Sequence, residues 1–465
     1  MEKIASSALS SLDRAARLIA RRDLSPDELI SSVLERIDRI NPHLKAYVSV
    51  FHEEALAEAR QATDEIVAHG PRSPLHGIPV AIKDLYDVRG KPTLAGSRVR
   101  EGHIAGADSE VVSRLRRAGA IIVGKTVTHE FGSGVTSPPA RNAWNLDCVP
   151  GGSSGGSGAA VAADLCMAAT GTDTAGSIRI PASVNGVAGL KPTFGRISKR
   201  GIVPLAWSLD HAGPLVKTVF DAALVLNATA GYDSVDPSSS NEPVPDYTSA
   251  VDSGVVGLRV AVVQNWYFDR VNGFVASAVQ KAAHIFEELG ARVEEVRVPH
   301  LELAMAVHHI ILASEASTYH QSTLRTVPDR YRRGTRLFLK AGELVPATDY
   351  LNAQRARELI RQGFREAFSG IDVIIAPSLP TTAATFGSNK VQIDEAEDIT
   401  QAYMRLSVPA NLAGLPALSV PCGFHNGLPI GLQIMGEPFE EQMVLRAGYA
   451  YEQATKHHLQ KAPLN

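Results

Sequence analysis

Apolar residues at helical spacing mark the first clear element of the chain. Leu29, Ile30, Val33, Leu34, Ile37 and Ile40 fall on one face of a 3.6-residue period. Ser25-Pro26-Asp27-Glu28 stands just before them. Ser25 can cap, Pro26 suits the first helical position, and Glu28 completes a capping box. Asn41-Pro42 predicts the end of this helix, because a residue before proline is steered away from the helical region. A second helix is predicted over residues 53–68. Ile78 to Ile82 is then a continuous apolar run, which predicts a buried strand with Lys83 at its end. A helix over 110–118, stopped by Gly119, and a strand over 121–123 complete a β–α–β unit. A helix rich in small residues is predicted over 159–167, followed by a short buried strand or turn over 168–171. Residues 232–247, rich in Asp, Pro and Ser, predict a surface connection between the core and a second lobe. Beyond it, a strand at 257–263, a helix at 275–289 and an alternating strand at 292–298 form a second β–α–β unit. Residues 301–365 read as mostly helical, and 371–375 and 418–420 as short buried strands. The class is mixed α/β.

Composition narrows the function only by exclusion. The chain has 465 residues, 45% of them hydrophobic and 20% charged, an ordinary globular balance. Length alone allows about two to three domains. A formal net charge of -3 gives no reason to expect nucleic acid or an anionic membrane as partner. No apolar run reaches about 18 residues, so no transmembrane helix is predicted. Met1 to Arg22 alternates apolar and charged residues and lacks a secretory pattern. Cys148, Cys166 and Cys422 are odd in number and widely spaced, so they form neither a metal motif nor a disulfide framework. They read as small buried hydrophobes in a reducing cytoplasm. The histidines, His129, His308 and His309 among them, show no metal-ligand spacing.

Two glycine-set serines change the picture. Pro150-Gly-Gly-Ser-Ser-Gly-Gly-Ser-Gly158 holds Ser153, and Gly171-Thr-Asp-Thr-Ala-Gly-Ser-Ile-Arg179 holds Ser177. Upstream, His76-Gly-Ile-Pro-Val-Ala-Ile-Lys-Asp84 delivers Lys83 from an apolar strand. A serine hydroxyl is a weak nucleophile until a neighbouring base takes its proton. A lysine is such a base when burial keeps it neutral. Small residues before Ser177 allow the backbone N–H groups of Thr174, Ala175, Gly176 and Ser177 to converge as an oxyanion hole. The bland alternatives are a surface Lys83 paired with Asp84 or Asp87, a flexible Gly/Ser linker, and an incidental serine in a glycine turn. Gly151-Gly-Ser-Ser-Gly155 also satisfies the nucleophile-elbow pattern Gly-x-Ser-x-Gly, with His211 or His284 as possible partners. That pattern needs a strand before it, and residues 145–150 read as loop.

The three ordered blocks resemble the amidase signature family. The similarity continues through Gly189-Leu-Lys-Pro-Thr193, Leu209-Asp-His-Ala-Gly-Pro214, Val408 to Ala417 and Gly427 to Gln433. The resemblance implies one amidase signature domain over residues 1–465, a mixed central β-sheet wrapped by helices. Its motif core would span about 60–230, and a variable lobe of about 250–400 would shape the substrate pocket. It implies Ser177 as nucleophile, Ser153 as a relay preceded by a cis peptide, and Lys83 as base. Ser154, Asp173 and Arg179 would support the site, Asp173 pairing with Arg179 and Ser154 bonding within its own loop. Phe131, Gly132 and Ser133 would bind substrate, and residues 129–145 and 300–350 would shape the acyl pocket. No cofactor or metal is implied. The partner expected is a small amide-like molecule, carbamates included, with a homodimer left open. Two alternatives stand beside this: the glutamine-hydrolysing chain of a tRNA-dependent amidotransferase, and a silent binding protein of the same fold. Met404 falls where that amidotransferase chain carries an acidic residue for the glutamine amino group.

Overall fold

Ser25 starts the first long helix as its sequence dictates. In the computed structural model, which describes residues 10–464, Ser25 Oγ accepts from the Glu28 N–H at 3.1 Å and the Glu28 carboxylate accepts from the Ser25 N–H at 2.9 Å. The helix spans Pro26–Leu44 and buries all six apolar residues of its predicted face. It runs past the predicted stop at Pro42. The proline forgoes one N–H in the last turn, but Leu44 gains full burial and Lys45 closes the turn with a 2.7 Å bond from its N–H to Asn41 O. The first nine residues of the N-terminal reading lie outside the described residues.

The strands are β1 (Tyr47–Val50), β2 (Pro79–Lys83), β3 (Ile121–Thr126), β4 (Ala168–Asp173), β5 (Ala188–Lys191), β6 (His211–Val216), β7 (Arg259–Val263), β8 (Arg292–Val296), β9 (Val373–Pro377), β10 (Lys390–Gln392), β11 (Ala396–Asp398), β12 (Ala417–His425) and β13 (Leu428–Met435). β10 and β11 form a small hairpin. The other eleven make one mixed sheet in the order β1-β3-β2-β4-β6-β5-β12-β13-β9-β7-β8. Pairings are parallel in β3–β2–β4 and β9–β7–β8, and antiparallel everywhere between β4 and β9. The helix Glu110–Ala118 crosses between parallel β2 and β3, and Gly273–Glu288 between parallel β7 and β8. The second β–α–β unit thus extends the same sheet. The fold is α/β, with helices packed on a central mixed sheet. Among the described residues no helix is long and apolar enough to cross a membrane.

The small-residue helix is displaced from its predicted place. It spans Gly155–Ala162 instead of 159–167, and every residue in it is buried. It begins inside the glycines because their backbone tolerates the tight packing there. It ends early because Asp164 turns to a left-handed conformation and Met167 donates its N–H to Pro79 O, entering the sheet. β5, β6 and β13 escaped the periodicity reading, since their Gly and Pro residues interrupt any strand pattern.

Candidate active site

β2 carries Lys83 into the interior, where it has no solvent exposure. Its Nζ lies 2.8 Å from Ser153 Oγ, 2.8 Å from Ser154 Oγ and 2.7 Å from Thr172 Oγ1. All three partners are hydroxyls. Asp84, next in sequence, lies 3.0 Å from Lys125 instead. Burial pushes the Lys83 amine well below its ordinary range, against the weaker pull of Asp173 and Asp210.

The Gly/Ser loop is held rigidly. The Gly152–Ser153 peptide is cis. A Cβ on Gly152 would stand 2.5 Å from Thr136 N, so only glycine permits this approach. Ser137 Oγ donates to Ser153 O at 2.8 Å and accepts from the Gly155 N–H at 3.1 Å. Ser154 does not bond within the loop as expected. Its hydroxyl donates to Thr172 O at 3.3 Å and accepts from Lys83, because both the lysine and β4 lie directly beneath it.

Asp173 and Arg179 meet in full burial, with contacts of 2.9 and 3.0 Å. Burial works to raise the Asp173 carboxyl, but the Arg179 charge and hydrogen bonds outweigh it and hold it below the usual carboxylate range. Asn411 donates to Asp173 at 2.8 Å and accepts from Arg179 at 2.6 Å, while Gln433 accepts from Arg179 at 2.5 Å. Asp173 also takes the N–H groups of Gly176 at 2.8 Å and Ile178 at 3.1 Å. This corrects one expectation. The Gly176 amide is spent on shaping the loop, which leaves those of Thr174, Ala175 and Ser177, with no protein acceptor among the described residues. The part played by Gly176 is spatial: at φ 110° it lies where a Cβ would meet Ser407 Cβ at 2.5 Å.

Ser177 lines a cavity of about 230 Å³ with Gly132 and Ser133. Its hydroxyl makes no hydrogen bond to protein among the described residues. Phe131 does not line this cavity. Its ring is buried against His320 and Tyr331, with centroids 4.2 and 5.6 Å away, where it gains more contact than at the cavity wall. Leu205, Leu312, Phe338, Met404, His129 and His309 supply much of the remaining wall. Burial, with help from Arg332, pushes His129 down to about 4, so it is neutral.

Several participants were invisible in the sequence. Thr172 is one, and its only signal was its place in the Ser177 block. Asn411 and Gln433 lay in the quoted C-terminal motifs without an assigned role. A second, larger chamber of about 610 Å³ is built mainly from residues 194–211 and 235–238, touching Thr172 and Thr174. The elbow reading fails: residues 145–150 form no strand. His284 is on the surface beside Glu287 and Glu288, and His211 is tied to the backbone carbonyl of Leu209. Among the described residues no cluster of three or more His, Cys, Asp or Glu side chains is placed to hold a metal.

The profile of the Amidase family matches residues 28–445. An amidase of Pseudomonas putida is 45% identical over 451 residues, covering 96% of each chain. The A chain of the glutamyl-tRNA(Gln) amidotransferase of Geobacter sp. (strain M21) is 39% identical over 95% of this chain and 96% of its own. A solved structure, described as a vestigial protein complex that reveals the origins of an s-triazine catabolic enzyme, superposes with a TM-score of 0.92 at 34% identity, covering 98% of this chain and 100% of that one. The chain is a member of the amidase signature family of amide-hydrolysing enzymes.

Proposed function

We propose that this enzyme hydrolyses small, mostly apolar amides or amide-like compounds, carbamates included, through an acyl-enzyme on Ser177. The observation that carries the reading is Lys83: fully buried, held by three hydroxyls, with no carboxylate on its amine. Ser177 Oγ turns to Ser153 as it attacks the carbonyl. Its proton passes to Ser153, whose own proton moves to neutral Lys83. The new oxyanion rests on the N–H groups of Thr174, Ala175 and Ser177, each such donor being worth roughly 10²–10³ in rate. The relay then runs backwards and protonates the leaving nitrogen. Water cleaves the acyl-enzyme by the same route. Asp173 and Arg179 hold the loop in shape.

The cavity beside Ser177 favours an uncharged acyl group. No Asp or Glu is among its lining residues, and Met404 stands in its wall. A thioether offers no counter-charge to the ammonium of glutamine, and an unpaired charge in such a pocket is costly. The amidotransferase reading rests on the 39% identity to the Geobacter chain and predicts the reverse preference. Three buried free cysteines suit a reducing cytoplasm. In this reading residues 1–465 are one domain, its core at about 60–230 and its pocket-shaping lobe at about 250–400.

The test is to compare kcat/KM for an acyl anilide, an aryl carbamate and L-glutamine under one set of conditions. The anilide or the carbamate is expected to be the best substrate. Glutamine as the best, or no activity until a partner protein is added, overturns the reading.

A further inference from the structure

Two spaces share Thr174 and Leu205 in their walls, close to Ser153, and they differ in size. A Cβ built on Gly132 would lie 3.6 Å from Ser153 Oγ, 3.5 Å from Leu85 Cδ1 and 3.8 Å from Leu205 Cβ. Those atoms therefore surround one corner. Gly132 lines the smaller cavity of about 230 Å³ with Ser177, whereas Leu85 lines the chamber of about 610 Å³, and Leu205 and Thr174 line both. Thr172, which also faces the chamber, holds Lys83 from the same side.

An amide has two halves, and this corner separates them. When Ser177 Oγ bonds to the carbonyl carbon, the C–N bond breaks and the nitrogen takes the proton that Ser153 receives back from Lys83. The nitrogen must therefore face Ser153 Oγ, and whatever it carries extends towards Leu85 and Leu205. We infer that the larger chamber is the site for the amine half of the substrate, and that this half is a bulky, uncharged aryl or alkyl amine. The inference rests on the acyl-enzyme reading above. The class follows from the walls. Phe194, Val203, Leu205 and Trp207 are apolar, and the volume lies in the range of pockets that enclose a small-molecule ligand. The chamber holds a cation of its own that repels a second one: Lys199 Nζ stands 4.3 Å from the centre of the Phe194 ring and donates to Trp207 O at 2.6 Å, while Arg200 beside it is paired with Glu110 and Asp233. The two carboxylates in the chamber wall are already engaged: Asp210 accepts from Thr174 Oγ1 at 2.6 Å and from the Leu205 and Ala206 N–H groups, and Asp236 accepts from the Lys199 N–H at 2.7 Å and the Ser238 N–H at 2.9 Å.

Two substrate series test this on the whole chain. One keeps the acetyl group and enlarges the amine: acetamide, acetanilide, N-(2-naphthyl)acetamide. The other keeps aniline and enlarges the acyl group: acetanilide, butyranilide, benzanilide. Val203→Trp, which fills the chamber, is expected to lower kcat/KM for the naphthyl amide about tenfold or more relative to acetamide. It should change the acyl series uniformly, with no trend along it. Trp207→Ala alters a half-exposed side chain and so leaves the fold testable if the first variant does not fold. It is expected to raise KM for the two aryl amides up to about tenfold, and by more than it raises that for acetamide. Taking each variant against wild type cancels the intrinsic reactivity of the amines. Equal losses across the amine series, or discrimination that follows acyl size, overturns the chamber assignment and leaves the amidase reading standing. No cleavage of any compound by the wild-type enzyme sinks both.

Discussion

Lys83 and Lys125 sit on adjacent parallel strands, β2 and β3, and neither has any solvent exposure. Their surroundings differ in one respect. Lys125 Nζ lies 3.0 Å from Asp84 Oδ1 and donates to Pro92 O and Thr93 Oγ1 at 3.0 and 3.1 Å. Lys83 Nζ has hydroxyls only. Burial disfavours the charged form of both amines. At Lys125 a carboxylate in direct contact opposes that effect. At Lys83 the opposing charges, Asp173 and Asp210, make no contact with the amine. Burial is therefore common to a structural lysine and a candidate base, and the partner distinguishes them. A hydroxyl can accept from an amine or donate to it, so a hydroxyl shell tolerates both protonation states.

The comparison breaks first at catalysis. Lys83→Ala and Ser177→Ala are each expected to lower kcat by about 10³-fold or more, with the fold retained by circular dichroism. Ser153→Ala should be severe but less complete, because a water can stand in for a bridging hydroxyl. Substantial amidase activity in Ser177→Ala refutes the assignment. Lys125→Ala should behave in the opposite way. It leaves Asp84 buried without a counter-ion and is expected to cost about 3–5 kcal/mol of stability by urea denaturation. Its activity per folded molecule should stay within a few-fold of wild type.

How far the sequence exposed this contrast depends on chain distance. Strand β2 and the burial of Lys83 followed from the apolar run Ile78 to Ile82. The meeting of Asp173 with Arg179 was legible because both belong to one short block. The choice of partner for Asp84 was not. Spacing offered Lys83 itself, whereas the sheet register places Lys125 beside Ile82, and only the third dimension supplies that neighbour. Asn411 and Gln433 reach Arg179 from more than 230 residues away. The loss of the Gly176 amide to Asp173 was equally hidden, since composition shows that a loop can be tight but not where its N–H groups point. Phe131 was misplaced for the same reason, as its aromatic neighbours, His320 on the helix Ala304–Thr326 and Tyr331 just beyond that helix, are distant in the chain.

Stability offers a subtler test of the same difference. Lys83 binds its proton less readily in the folded chain than the ordinary value of 10.5 implies. Between the folded and unfolded pKa values the unfolded chain carries a proton that the folded chain lacks. Stability is thus lost as pH falls from about 10.5 through the depressed folded value. Lys83→Met removes the amine and escapes that loss. It is expected to be more stable than wild type by about 0.5–2 kcal/mol at pH 7, with the gain fading towards pH 10.5. Lys125→Met should destabilise at pH 7. Denaturation of both variants at the two pH values checks the signs, and a loss of stability in Lys83→Met at pH 7 would show that its amine is held as a charged group.

The smallest expected effect is the sharpest probe of the hydroxyl shell. Thr172 Oγ1 accepts from Lys83 Nζ at 2.7 Å, the shortest of its three contacts. An ammonium donates three hydrogen bonds, whereas a neutral amine donates two and accepts one. Thr172→Val keeps the shape but removes one acceptor, so the charged form loses more than the neutral form does. The Lys83 pKa should fall further. The kcat/KM profile, which rises with pH as Lys83 loses its proton, should therefore move its acid limb to lower pH, by up to about one unit, the equivalent of about 1.4 kcal/mol. At the plateau the rate should drop no more than about tenfold, because the relay through Ser153 is intact. A purely structural role for Thr172 would lower the plateau and leave the limb in place. A limb that moves to higher pH would mean that the hydroxyl favours the neutral amine, and the account of Lys83 as a base kept neutral by burial alone would have to be given up.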